Sequence, residues 1–108
     1  MSTSGLDIVT RMDGGVARLV VSGELDLATA PELLGRAAAA LDSAEPPAEV
    51  DLGGVTFIDG SGLRCLLAVQ AGADGRGGLE LVGASGPVRR LFGLTGLSGR
   101  LVAAGAVR

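Results

Sequence analysis

The residues best placed to do chemistry lie together in Asp59-Gly60-Ser61-Gly62, where the apolar stretch Val55-Thr56-Phe57-Ile58 hands over to a predicted helix. Such a turn sets backbone N–H groups and the positive end of a helix dipole beside a hydroxyl, and it tolerates a phosphate. The same residues also suit a plain helix N-cap, in which Asp59 or Ser61 accepts from orphan amides and the glycines supply turn geometry. Cys65 is the sole cysteine, so one chain builds neither a disulfide nor a thiolate zinc cluster. A small buried apolar role fits it.

Histidine, lysine, tyrosine and tryptophan are all missing. The usual general base, the Schiff-base amine and the commonest metal ligand go with them. A small hydrolase or nucleotide-binding enzyme built on Asp59 and Ser61 fails on this inventory. Nothing is available to activate Ser61, and no Gly, four residues, Gly, Lys and Ser or Thr pattern occurs. No catalysis, cofactor or metal is expected. Nine arginines against twelve acids leave a charge of -3 and no basic stripe, and two phenylalanines are the only aromatics. Direct nucleic-acid binding is therefore disfavoured.

The 108 residues are one domain's worth, so a single domain over 1–108 is expected. With 47% apolar and 19% charged residues the chain can offset ordering entropy by burial. Uncharged stretches such as Cys65 to Ala73 are too short to span a bilayer, and the first four residues lack a signal peptide's basic start. A cytoplasmic protein without a membrane partner is the expectation.

Leu6 to Asp13 and Val16 to Ser22 flank Asp13-Gly14-Gly15 and predict a hairpin. Thr29 and Glu32 have capping-box spacing, with Pro31 in the first turn, so a helix should begin near Ala30. Its apolar stripe reads Leu34, Ala37, Ala38 and Leu41, and Pro46-Pro47 forbids its continuation. Glu49 to Leu52 reads as a short strand and Gly53-Gly54 as a break. In the helix after Asp59, residues Cys65, Leu66, Val69 and Ala73 share one side, with Leu63 and Leu67 on its flank. Gly72, Gly75, Gly77 and Gly78 predict its end and Leu79 to Val82 another strand. Ser85-Gly86-Pro87 opens a third helix carrying Val88, Leu91 and Phe92, and Arg100 to Ala103 offers a last short strand. Helical crossovers imply parallel pairing. The predicted class is α/β, a mixed and mostly parallel sheet opened by an antiparallel hairpin, with about three helices packed on it. The opening strands lack long charged edges, which leaves homodimerisation by strand pairing open.

Two stretches, Gly23-Glu24-Leu25-Asp26-Leu27-Ala28-Thr29-Ala30 and Asp51 through Arg64, resemble the signature stretches of STAS-domain anti-sigma factor antagonists, and the similarity spans nearly the whole chain. The resemblance implies the STAS fold and a partner switch. The unphosphorylated antagonist binds a kinase-type anti-sigma factor, frees a sigma factor, and is turned off when that kinase phosphorylates a serine. It further implies that Asp26 lies close to the phosphorylation loop and that Leu63 contacts the kinase. The expected partner surface comprises Asp26, Thr29, Asp59, Gly60, Ser61, Gly62, Leu63 and Leu67. The sequence departs from the family where the acceptor usually follows the Asp directly: that residue is Gly60, and Ser61 matches the next position. Either Ser61 is the acceptor or phosphorylation has been lost and binding is constitutive. The alternative role is a non-phosphorylated accessory or scaffold subunit of a larger assembly or transporter, which the loss of the usual acceptor favours.

Overall fold

The computed structural model describes residues 5–43 and 45–102. Its elements run β1 (Leu6–Asp13), β2 (Val16–Leu25), α1 (Ala30–Ser43), β3 (Glu45–Ile58), α2 (Gly60–Ala73), β4 (Leu79–Val82), α3 (Gly86–Leu94) and a 3-10 turn at Ser98–Arg100. The sheet order is β1-β2-β3-β4, with β1 antiparallel to β2 and the other two pairings parallel. This is the mixed α/β class expected. No helix among the described residues is long and apolar enough to cross a membrane.

The hairpin closes on Asp13 and Val16 through Gly14 and Gly15, at φ 61° and 87°. Two positive φ values in a two-residue turn match the right-handed twist of the strands, and glycine reaches them without strain. The buried side chains of β1 to β4, among them Leu6, Leu19, Val21, Val50, Leu52 and Leu81, meet α1, α2 and α3 in one core. Asp7, Val9, Arg11, Arg18 and Glu24 lie exposed on β1 and β2.

Three details differ from the sequence expectation. Gly53-Gly54 does not break the chain: β3 runs from Glu45 to Ile58 as one strand. The glycines instead permit a bulge, since Val20 pairs with Asp51 but Ser22 with Gly54. The Asp51 carboxylate accepts the Gly53 N–H at 2.9 Å, and a Cβ at Gly54 would fall 2.6 Å from that of Ser22. The buried stripe of α1 is Ala30, Leu33, Ala37 and Ala40, whereas Leu34 and Ala38 are exposed. Both phases fit helical spacing, and Leu33 is the leucine that reaches the core. The last predicted strand shrinks to one parallel bridge between Leu81 and Leu101 after the 3-10 turn. Ala103 falls outside the described residues.

α2 buries Cys65, Leu66, Val69 and Ala73, the side expected from spacing. Its end follows at Ala73, with Gly75, Gly77 and Gly78 at positive φ beyond it. α3 contributes Val88 and Phe92, both fully buried, while Leu91 is half-buried.

Candidate functional site

The parallel strands β2 and β3 finish side by side at Leu25 and Ile58. Two loops therefore emerge at one end of the sheet, one leading into α1 and the other into α2. The Asp59 N–H donates to the Leu25 carbonyl at 3.4 Å, which joins them.

In the first loop the Asp26 carboxylate accepts the N–H groups of Ala28 at 3.0 Å and Thr29 at 3.1 Å. The Thr29 hydroxyl accepts the Asp26 N–H at 3.0 Å and donates to the Glu24 carbonyl at 2.9 Å. Thr29 is 1% exposed, so it braces the loop from within and offers a partner almost nothing. Its hydroxyl turns toward the loop, and the Glu32 N–H donates to the Thr29 carbonyl at 3.1 Å.

In the second loop Asp59 is the N-cap of α2. Its carboxylate accepts the Gly62 N–H at 3.0 Å and its carbonyl accepts the Leu63 N–H at 2.9 Å. With Asp59 capping, the Ser61 hydroxyl is released from that duty. It stands half-buried in the first turn of α2 and accepts a long hydrogen bond from Arg64 Nη2 at 3.4 Å. Gly60 is exposed, and a Cβ there would meet only Arg64 Nη1, at 3.7 Å. Gly62 is buried with no room for a side chain.

Asp26, Asp59, Gly60 and Ser61 thus share one end of the sheet, and their side chains or backbone reach the surface. Leu63 does not: it is 8% exposed and belongs to the core, with Leu67 half-buried. Cys65 is 5% exposed, its thiol 3.6 Å from the Ala30 carbonyl, and burial pushes its pKa up from 9.0 to about 11. A protonated thiol in this position ties α2 to the start of α1 and is poorly suited to nucleophilic work. Among the described residues no cluster of metal-ligating side chains occurs.

Sequence reasoning missed four residues around these loops. Leu27, next to Asp26, is 76% exposed. Phe57, at the end of β3, is 48% exposed and Leu94 of α3 is 78% exposed; with Arg90 they line an open groove between strand end and helix. A leucine inside a polar capping turn was a readable signal for Leu27. Phe57 faces outward because a second bulge, between the Gly23–Val55 and Glu24–Phe57 pairs, resets the alternation of β3.

A family model described as Mlab, STAS domain matches residues 8–103. Among solved structures, an anti-sigma factor antagonist from Mycobacterium paratuberculosis is similar at 30% identity and a TM-score of 0.80, covering 98% of this chain and 91% of its own. The antagonist SpoIIAA in its unphosphorylated form is similar in fold, at 20% identity and a TM-score of 0.73, over 91% of this chain and 88% of that one. The phosphorylated form of SpoIIAA, the Bacillus cell fate determinant, gives 19% identity and a TM-score of 0.68, covering 91% of each chain. A search of curated proteins finds no match.

Proposed function

This chain belongs to the STAS domain family, and from that premise we propose that it is an anti-sigma factor antagonist that docks on a kinase-type anti-sigma factor and is switched off by phosphorylation of Ser61. The observation that carries this reading is the division of labour in the first turn of α2. Asp59 does the capping, so the Ser61 hydroxyl is left for other chemistry.

A phosphoryl group there would bring about −1.5 to −2 charge at neutral pH. The start of α2 and the Arg64 guanidinium are suited to hold it without unfolding the helix. Toward a partner the effect is opposite. The new charge would stand in the loop that Asp59 already makes acidic, at the same sheet end as the exposed Leu27, where it opposes apolar docking by repulsion and desolvation. The docking surface in this reading is the sheet end bearing Asp26, Leu27, Asp59, Gly60 and Ser61. Leu63 and Thr29 support it from beneath.

The test is intact mass after incubation with ATP and kinase-type anti-sigma factors, for the wild type and Ser61→Ala. One added phosphate on the wild type, absent from the variant, is expected. Tight binding with no phosphate sinks the switch and leaves a constitutive antagonist. Absence of both favours an accessory subunit of a larger assembly. Gly60 supports that second reading: the position has room for a serine and nothing in its surroundings demands glycine.

A further inference from the structure

β1 is the outer strand of the sheet, and its free side follows from the ladder it makes with β2. The hairpin's two-residue turn closes on Asp13 and Val16, and at the other end the Gly5 carbonyl accepts the Glu24 N–H at 2.9 Å. Odd-numbered residues therefore turn their backbone groups toward β2. By the alternation of an antiparallel ladder, Ile8, Thr10 and Met12 turn theirs away from the sheet.

The side chains add a charge pattern. Asp7, Val9 and Arg11 share one face of the strand and are all exposed. Across the hairpin Arg11 stands opposite Arg18, a like charge, and Arg18 is itself engaged by Glu49 at 3.0 Å and Asp51 at 3.9 Å. The cross-strand position thus gives Arg11 a cation where an acid would stabilise it.

We propose that this edge pairs with the same edge of a second copy of this chain, antiparallel and centred on Val9, so that two sheets become one. In that register Asp7 faces the second copy's Arg11 and Arg11 its Asp7. Val9, 53% exposed, meets its own counterpart, and Met12, 56% exposed, falls opposite the second copy's Leu6. Ile8 and Thr10 of the two copies become the hydrogen-bonded pairs, the residues whose backbone groups the ladder turns outward. Neighbouring registers lack this match. Centring on Thr10 sets Asp7 against Asp13 and Val9 against Arg11, and centring on Ile8 leaves Arg11 facing Gly5. Charged residues on an edge strand ordinarily oppose pairing with other strands. Here their spacing makes the strand complementary to itself. A single strand pair is a small interface, so the dimer forms at high concentration rather than as an obligate assembly.

The test is sedimentation of the full chain from micromolar to millimolar concentration, for the wild type, Asp7→Arg, Arg11→Asp and an equal mixture of the two variants. The wild-type mass rises from 10.6 kDa toward twice that value, and less so in high salt. Each variant alone stays monomeric, because in this register Asp7→Arg sets arginine against arginine and Arg11→Asp sets aspartate against aspartate at both 7–11 contacts. The mixture associates again, since those edges complement each other, and a variant that had merely failed to fold could not produce this recovery. A wild type that stays monomeric throughout overturns the proposal. So does a dimer that survives either substitution, or a mixture that remains monomeric.

Discussion

The Leu25 carbonyl oxygen occupies the place where a side chain on Gly62 would begin: a Cβ there would fall 2.4 Å from it and 2.8 Å from Ile58 Cγ1. Backbone cannot retreat as the tip of a side chain can. Gly62→Ala should therefore cost about 1–3 kcal/mol by overpacking. Gly60→Ala, two residues earlier and in open space, should be neutral or stabilising by up to about 1 kcal/mol. Urea midpoints for the two variants measure the contrast, and equal midpoints would contradict the close approach.

Gly60→Ser should fold with wild-type stability, because a Cβ at this position meets nothing nearer than the Arg64 guanidinium. It would also place an acceptor directly after Asp59. Incubation with a kinase-type anti-sigma factor and ATP, followed by peptide mapping, is expected to find phosphate at position 60 in this variant. Phosphate confined to Ser61 would show that the kinase reads the second position.

Leu33 and Leu34 are adjacent and chemically identical, yet Leu33 is fully buried and Leu34 is 41% exposed. Leu33→Ala should cost about 2–5 kcal/mol. Leu34→Ala should stay within about 0.5 kcal/mol. Thermal unfolding of the pair checks the rotational phase of α1, and a reversed order would place the helix on its other face.

Cys65 predicts an alkaline transition. Burial raises the folded thiol from 9.0 to about 11, so between those values the unfolded chain releases its proton while the folded chain keeps it. Stability is then complete below pH 9.0 and declines as pH rises toward 11. The chain holds no lysine or tyrosine, the residue types that ordinarily lose a proton near that window. The midpoint of urea unfolding should fall across it in the wild type and stay level in Cys65→Ala.

Much of the fold was legible because local chemistry and tertiary role agree. Asp13-Gly14-Gly15 names its turn, and the apolar side of α2 has one consistent phase through Cys65, Leu66, Val69 and Ala73. Where they disagree, the sequence is silent or misleading. Alanines throughout α1 carry no phase information, so two stripes fit equally well. Gly53-Gly54 reads as a break because glycine is a local signal, whereas its use, close passage against Ser22, is set by a strand more than thirty residues away. At the candidate site the Asp59 cap and the clustering with Asp26 followed from residue types and the family resemblance. The exposure of Leu27, Phe57 and Leu94 depended on loops and bulges whose outcome periodicity does not encode.

The bond from Asp59 N–H to the Leu25 carbonyl bridges two segments that leave the ribosome at different times. β2 must wait, through the whole of α1, for β3 to arrive and pair with it in parallel. Before that pairing the Asp26 loop and the Asp59-Gly60-Ser61 turn are not held side by side. A partner that reads both loops together therefore recognises finished molecules and passes over nascent or unfolded ones.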